Sequence, residues 1–326
     1  MRVWSFRLAL LLTAAGLAPA QELGGCWLRD ATTPDRSTIY LLCENGIVLK
    51  SGDAGSWETV RVPAEGRLRA IHFADSRRGF VAGDSGALLA TQDGGKSWNR
   101  IDTGEREHFT DVRSLGAEVW VAGYKGTIMH SRDWGRSWQR QSTFASDPIE
   151  SIYFASPTHG WAVGWWGLIL RTTDGGTTWQ QVRVPGVWET LSSVYFQDSK
   201  NGWAVGMYGL VLRSRDGGAT WERQPAPVKG WLNSIVFAPD GTGWIAAEYD
   251  LLRSDDGGES WNVIPLETSM AVTRLVATRD SLLALGPGVA LARSRDGNAW
   301  LKLEVDQLMA GSSRTTARAR AARDSS

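Results

Sequence analysis

The stretch that decides the fold lies at residues 160–179 and reads GWAVGWWGLILRTTDGGTTW. It contains two short apolar runs, 161–163 and 168–170, and each is followed by a glycine-containing segment. Short apolar runs between such breaks are typical of buried β-strands joined by tight turns. The last eight residues form a polar motif, TTDGGTTW, that ends on a tryptophan. This stretch therefore predicts a β-hairpin that leads into a polar turn and a further strand.

The same polar motif occurs seven times along the chain. Complete copies lie at residues 91–98, 131–138, 172–179, 214–221 and 254–261, and copies shortened by one residue lie at 51–57 and 294–300. The spacing between successive motif aspartates is 40 to 42 residues, the scale of one unit of a repeat protein. The motif aspartates are Asp53, Asp93, Asp133, Asp174, Asp216, Asp256 and Asp296.

Each unit contains four short segments with strand character, which we name strands a to d. In the fourth unit, strand a is the alternating run 151–154, strand b is 161–163, strand c is 168–171, and strand d starts at the motif tryptophan. Four short strands per repeat of about 40 residues are typical of a β-propeller blade. A helical array is excluded because no unit has apolar residues spaced by three and four. We therefore predict an all-β fold, a seven-bladed β-propeller of four-stranded blades.

The polar motif, which we call the Asp box, is expected to form the turn between strands c and d. An aspartate and a Ser or Thr hydroxyl can exchange hydrogen bonds within a tight turn, and the glycine supplies the positive φ that such a turn needs. The tryptophan is expected to bury its ring between blades. We interpret the seven box aspartates as structural residues rather than as metal ligands or catalytic groups.

Residues 160–179 and 201–221 resemble the consensus of the photosystem II stability and assembly factors, a family of bacterial neuraminidase repeat (BNR) propellers. The resemblance extends over residues 26–305 and implies a non-catalytic scaffold, outside the cytoplasm, that binds a protein partner such as a membrane protein during its assembly. Blades six and seven depart from the consensus, at 244–250 and 283–288. The same box also resembles that of sialidases and xyloglucan-degrading enzymes. A carbohydrate-binding or glycosidase propeller is therefore the alternative.

Signs of catalysis are weak in this sequence. The strings nearest to a sialidase Arg-Ile-Pro motif lie at 61–63 and 183–185, and they recur at the ends of d strands as repeat features. Carboxylates outside the boxes, such as Asp111 and Glu150, stand in no motif, and the four histidines are isolated without metal-ligand spacing. We expect no enzymatic activity, no metal and no cofactor.

Aromatic residues recur in the b–c turns and in the d–a loops between blades. Both kinds of connection lie on the face opposite the Asp boxes, and exposed aromatics are characteristic of protein interfaces. We therefore predict a partner-binding face; its residues are Phe109, Tyr124, Trp165, Trp166, Trp188, Tyr208, Trp231 and Tyr249. Basic residues that precede most boxes, such as Lys50 and Arg171, form either a ring for an acidic partner or solvated strand ends.

The two ends differ in composition from the repeats. Residues 1–20 combine an early positive charge, an apolar run at 8–17 and a small-residue cleavage site at Ala20, which predicts a signal peptide and a periplasmic or secreted protein. An uncleaved membrane anchor is the alternative. Residues 310–326 are rich in Arg, Ser and Ala, which predicts a disordered basic tail. The propeller of residues 21–309 is mildly acidic and has no basic stripe for nucleic acid.

Cys26 and Cys43 are the only cysteines. Export favours a disulfide between them, since they fall on neighbouring strands a and b of the first blade. Lipidation of Cys26 is the alternative, because residues 23–26 resemble a lipoprotein processing box. The last blade has its own strand d from Trp300, so we expect a monomeric ring that closes without strand exchange, with the disulfide at the joint.

Overall fold

A computed structural model describes residues 26–35, 37–52, 57–266, 271–278, 281–287, 289–294 and 300–304. It contains 28 strands arranged as seven antiparallel sheets, each made of four consecutive strands. This arrangement confirms the seven-bladed β-propeller. The predicted signal peptide and basic tail lie outside the described residues. No helix in the described part of the chain is long and apolar enough to span a membrane.

The first four blades contain strands β1 to β16 in chain order. Blade one consists of Leu28–Thr32, Ile39–Cys43, Ile47–Ser51 and Glu58–Arg61. Blade two consists of Leu68–Phe73, Gly79–Gly83, Leu88–Thr91 and Asn99–Arg100. Blade three consists of Phe109–Leu115, Glu118–Gly123, Ile128–Ser131 and Gln139–Arg140. Blade four consists of Ile149–Phe154, Gly160–Gly164, Ile169–Thr172 and Gln180–Gln181.

The last three blades contain strands β17 to β28. Blade five consists of Leu191–Phe196, Gly202–Gly206, Val211–Ser214 and Glu222–Gln224. Blade six consists of Leu232–Phe237, Gly243–Ala247, Asp250–Ser254 and Asn262–Pro265. Blade seven consists of Arg274–Ala277, Ser281–Gly286, Val289–Ser294 and Trp300–Glu304. Single turns of 3-10 helix follow strand b in three blades, at Asp84–Gly86, Trp165–Gly167 and Met207–Gly209.

The core lies between neighbouring blades. Strand b of blade four is buried along its whole length, and its Trp161 stacks on Phe196 of blade five with ring centroids 3.4 Å apart. The indole N–H of Trp161 donates to the carbonyl of Gly217 in the Asp box of blade five, at 2.8 Å. Tyr40, Trp120 and Trp203 make the equivalent bond to the box of the following blade. Each of these rings therefore joins two blades by apolar stacking and a buried hydrogen bond.

The Asp box closes on itself. In blade four, Asp174 Oδ1 accepts from the Thr178 amide and the Thr172 hydroxyl, and Oδ2 accepts from the Thr178 hydroxyl at 2.6 Å. The Asp93, Asp133, Asp216 and Asp256 boxes repeat these bonds. The corresponding Asp53 and Asp296 lie outside the described residues.

The basic residues that precede the boxes also help to hold neighbouring blades together. Lys50, Arg171 and Arg213 donate to the carbonyl of a glycine in the next blade's box, at 3.1, 2.7 and 2.9 Å. A guanidinium or ammonium group held in this way reinforces the joint between two blades. This role in the joint is neither of the two alternatives predicted from the sequence, a ring for an acidic partner or solvated strand ends.

Within the described residues the ring closes without strand exchange, because blade one and blade seven each consist of four consecutive strands. At their joint, Arg274 of blade seven pairs with Asp30 of blade one, with 2.7 Å between Nε and Oδ1. A disulfide joins Cys26, just before β1, to Cys43 at the end of β2. It ties the first strand to β2, its hydrogen-bonded neighbour among the described strands.

Candidate functional site

The face opposite the Asp boxes carries the exposed aromatic residues. Most of them follow one another over blades four to six, and we call this set the aromatic arc: Trp165, Trp166, Trp188, Tyr208, Trp231 and Tyr249. Trp166, Trp188 and Tyr208 are the most open, at 65%, 68% and 69% exposed. Tyr124 of blade three is half-buried beside the arc, 6.4 Å from Trp165 between ring centroids. Seven of the eight aromatics predicted for this face therefore reach the surface at least in part.

Phe109 is the exception. It is fully buried as the first residue of β9, where it packs with Phe80 and Val112 between blades two and three. The interpretation of Phe109 as a surface aromatic is wrong, because its position is the inward apolar site that Leu68 and Ile149 occupy in the neighbouring blades.

Two more aromatics reach this face without having been predicted. Phe144 lies in the loop between blades three and four, is 93% exposed and has a positive φ of 55°. Trp27 lies just before β1 and is 59% exposed. Every exposed aromatic among the described residues is then either in a b–c turn or just ahead of a strand a.

The backbone of the b–c turns explains how these side chains come to face solvent. Trp166 and Tyr208 adopt the left-handed conformation, with φ of 55° and 57°, which a bulky residue adopts rarely. The next residue in each turn is a glycine whose N–H donates to the following d–a loop, as Gly167 does to Glu189. A Cβ on Gly167 would stand 2.6 Å from the Val187 carbonyl, so only glycine permits this close approach. The two loops are thereby packed together with their aromatics on one face.

A ring of polar residues surrounds the mouth of the central channel on this same face. It is formed by the second residue of strand a, where the pairing of strands a and b shifts register in blades one to six. Such a β-bulge leaves one residue unpaired and re-aims its side chain. The bulge residues are Arg29, Arg69, Thr110, Glu150, Ser192 and Asn233.

The bulge ring and part of the aromatic arc enclose a cavity of about 600 Å³, which we call the channel-mouth cavity. This volume is within the range of about 300–1,000 Å³ that is common for ligand sites. Two indoles of its wall are fixed by their N–H groups: Trp165 donates to Glu150 Oε1 at 2.5 Å, and Trp231 donates to Ser192 Oγ at 2.7 Å. Their rings are therefore held in place before any ligand arrives.

The charged groups of the cavity differ in how many hydrogen bonds and ion pairs they make with the protein. Asp30 and Asp111 each accept the backbone N–H of a residue in the next blade, Ile71 and Ile152. Asp30 is further neutralised by Arg274, and burial raises its pKa. These two carboxylates hold blades together and are not available to a ligand.

Glu150 is different, because its second oxygen has no hydrogen bond or ion pair within the described residues. Burial raises the pKa of Glu150, against the opposing effects of the Trp165 N–H and of Arg29 and Arg69. Arg69 is paired with Asp84 at 2.6 Å and lies over the Tyr124 ring. Arg29 is exposed and makes no ion pair within the described residues, although its charge lowers the pKa of Glu150.

The bulge ring was missed because a single polar residue in a short strand has many explanations. The available signal was its recurrence: a polar residue follows the first apolar residue of strand a in six successive repeats. Asp111 and Glu150, noted only as carboxylates outside the boxes, are brought together in the cavity. Among the described residues, no group of three or more His, Cys, Asp or Glu side chains is arranged to hold a metal ion.

Comparison with known proteins identifies a family. The family described as "Photosynthesis system II assembly factor YCF48" matches residues 49–148 and 180–321, which is most of the chain. The photosystem II assembly lipoprotein Ycf48 of Nostoc sp. is 32% identical over 84 residues, or 24% of this chain and 25% of the relative. The chain thus matches only a quarter of that relative's length.

Two solved structures illustrate the fold. One, described as YCF48 bound to D1 peptide, has a TM-score of 0.68 and 20% identity, covering 83% of this chain and 92% of that one. The other, a streptogramin B lyase, has a TM-score of 0.73 and 11% identity, covering 81% and 92%. At these identities the likeness concerns the fold alone, and the second example indicates that the fold also carries enzymes.

Proposed function

Because this chain belongs to the family of photosystem II assembly factors, we propose that it is a non-catalytic scaffold that binds a protein partner outside the cytoplasm. The partner is a membrane protein or an intermediate in its assembly. The relative from Nostoc is an assembly lipoprotein, and the disulfide is consistent with an oxidising compartment. A cleaved signal peptide at residues 1–20 accounts for export, and the propeller acts as a monomer.

One observation carries this proposal: the exposed aromatics of the described chain are confined to one face. Trp and Tyr are enriched at the centres of protein interfaces, where desolvating a large ring contributes much of the binding energy. Trp188 and Tyr208 are more than two-thirds exposed, and leaving such rings in water is unfavourable without a partner. The aromatic arc is therefore proposed as the partner-binding surface.

The cavity chemistry favours binding over catalysis. A glycosidase needs two carboxyl groups placed across the substrate, about 5 to 10 Å apart. In the channel-mouth cavity, Asp30 and Asp111 are engaged by backbone amides of the next blade, which leaves Glu150 as the one carboxylate with a free oxygen among the described residues. A lone carboxylate of this kind can orient a ligand without supplying the acid–base pair that hydrolysis requires.

The test replaces Trp165, Trp166, Trp188 and Tyr208 together by alanine. Purified protein with an N-terminal photo-crosslinker is incubated with solubilised membrane proteins and, in a second arm, with a D1 peptide like that bound by the structural relative. We expect the affinity of the variant for the captured membrane protein or the peptide to fall at least about tenfold, because hot-spot aromatics dominate interface energies. Its thermal unfolding should remain cooperative.

The matched control replaces Leu115 and Val263, two exposed apolar residues outside the aromatic arc, by alanine. This control should bind as the unmodified protein does. Normal binding by the quadruple variant would overturn the aromatic arc as the binding surface. Capture of glycans, with no protein or peptide captured, would favour the carbohydrate-binding alternative instead.

A further inference from the structure

The channel-mouth cavity has a particular distribution of free polar groups. The hydroxyl groups of Thr110 and Thr273 donate hydrogen bonds to main-chain carbonyls, and the Asn233 side-chain amide donates to the Val272 carbonyl. Among the described lining residues, the groups free to meet a ligand include the Arg29 guanidinium, the second oxygen of Glu150 and the Asn233 carbonyl oxygen. The cavity therefore offers one charged donor from blade one and acceptors from blades four and six.

Arg29 and Glu150 come from blades on opposite sides of the ring, and the charge of Arg29 still acts on Glu150. Arg29 is the bulge residue of blade one and Glu150 that of blade four, three blades further round. Between them, on the side of blades four to six, the anchored rings of Trp165 and Trp231 form an apolar wall. A ligand that fills this space needs one hydrogen-bond acceptor, one donor and a flat apolar group between them.

We propose that the channel-mouth cavity receives an extended segment of the bound partner that carries an aromatic side chain. The ring of that side chain stacks against Trp165 and Trp231, one of its flanking carbonyls accepts from Arg29, and one of its flanking N–H groups donates to Glu150. This proposal rests on the proposed function and names the kind of partner segment that the binding face recognises.

A peptide segment suits these groups better than a saccharide does. A saccharide presents several hydroxyl groups, each of which must find a partner when it leaves water, and most hydroxyls and amides of the ring are already engaged. A peptide unit presents one carbonyl and one N–H. The aromatic arc also continues outside the cavity to Trp188, Tyr208 and Tyr249, which a small ligand would leave uncovered. The cavity thus lies next to further exposed aromatic surface.

The experiment measures binding of small defined probes to the full chain by calorimetry. The probes are the capped tripeptides acetyl-Gly-Tyr-Gly-amide and acetyl-Gly-Ser-Gly-amide, with cellotriose as the saccharide arm, each titrated up to the solubility limit. We expect the tyrosine peptide to bind at least about tenfold more tightly than the serine peptide, since only its ring can stack on the indoles. Cellotriose should not compete with it.

Two variants test the polar contacts. Glu150→Gln keeps an oxygen that can accept from the Trp165 indole and removes the charge, and Arg29→Met removes the free cation while keeping a long side chain. Each should weaken binding of the tyrosine peptide at least about threefold, because a hydrogen bond to a charged group is lost. Glu65→Gln, at an exposed site in the loop ahead of β5, is the matched control and should bind normally.

The outcomes separate this proposal from the proposed function. Absence of tyrosine-peptide binding, equal binding of both peptides, displacement by cellotriose, or unchanged binding in Glu150→Gln and Arg29→Met would each overturn the cavity assignment. If the quadruple aromatic variant loses the partner while Glu150→Gln and Arg29→Met retain it fully, the cavity proposal fails and the scaffold function stands. If the quadruple variant also retains the partner, the scaffold surface itself is wrong.

Discussion

The two faces of the propeller use the same repeat in opposite ways. On the Asp-box face, the polar groups of a turn such as that of Asp174 are engaged within the turn, and the box of blade five also accepts a hydrogen bond from Trp161 of the preceding blade. On the other face, rings such as Trp166 and Trp188 stand open to solvent. One face completes the structure, and the other leaves apolar surface uncovered.

The difference lies in what each turn must do. The box turn makes the same hydrogen bonds in each of the five boxes that the structure describes, so its residues repeat. The b–c turn must only adopt one backbone shape, with a left-handed residue near its middle, and Ser85, Lys125, Trp166, Tyr208 and Glu248 all adopt it. Its side chains are free to differ from blade to blade. A repeat protein can therefore place a specific site on one face without disturbing the joints on the other.

The largest expected effect comes from breaking a joint. Replacing Trp161 by alanine removes a fully buried indole, its stacking on Phe196 and its hydrogen bond to Gly217. We expect the free energy of unfolding to fall by about 3–5 kcal/mol, the usual cost of truncating a buried aromatic. Urea denaturation followed by circular dichroism measures it.

The counterpart on the open face is Trp166→Ala. Its ring is 65% exposed, so its removal should change the free energy of unfolding by no more than about 0.5 kcal/mol. Comparable losses in the two variants would contradict the division of the ring into a structural face and a binding face.

The joints could be predicted from the sequence because they repeat. Seven aspartates at a spacing of 40 to 42 residues fix the number of blades, and the alternating run 151–154 identifies strand a of its blade. Even the partners of the first strand follow by comparison of repeats: Cys43 occupies the position of Gly83 in blade two, and both pair with the first residue of strand a.

The site could be predicted only in outline. The prediction of Phe109 as a surface residue is wrong because a pattern of period two does not say where a loop ends and a strand begins, and Phe109 is the first inward residue of β9. The cavity depends on β-bulges that turn Arg29 and Glu150 toward the channel mouth. A bulge is a shift of one residue between two strands, and a single repeat does not reveal it; only the recurrence of a polar residue at the same place in six repeats gives a signal.

The second effect in size concerns the joint between the first and last blades. Reducing the Cys26–Cys43 disulfide, or replacing both cysteines by serine, should lower the free energy of unfolding by about 3 kcal/mol, since the bridge closes a short loop in the unfolded chain. Thermal unfolding with and without reductant measures this.

The double serine variant is the control for the reductant, which should not alter its melting temperature. Free thiols at both positions in protein isolated from an oxidising compartment would contradict this role for the disulfide. So would a diacylated Cys26.

The smallest effect compares one carboxyl group from each face. In the Asp box, hydrogen bonds from the Ser137 hydroxyl and amide hold the pKa of Asp133 below its ordinary value of 3.8. At the channel mouth, burial raises the pKa of Glu150 above its ordinary value of 4.5. A lowered pKa in the folded state means stability that is present above pH 3.8 and is lost as the pH falls further. A raised pKa means stability that is present below pH 4.5 and is lost as the pH rises through the folded-state value.

The variants Asp133→Asn and Glu150→Gln should therefore depend on pH in opposite directions. Asp133→Asn should be less stable than the unmodified protein at pH 7, and the difference should shrink as the pH falls below about 4, where the aspartate of the unfolded chain is protonated. Glu150→Gln should gain in stability relative to the unmodified protein as the pH rises from 4 to 7, because it removes a carboxylate that burial disfavours. Urea denaturation at intervals between pH 7 and pH 3 measures both differences, with Glu65→Gln as the exposed control. If the stability differences of the two variants changed with pH in the same way, the environments of the two carboxyl groups would not differ. The electrostatic difference between the Asp-box face and the open face would then be contradicted.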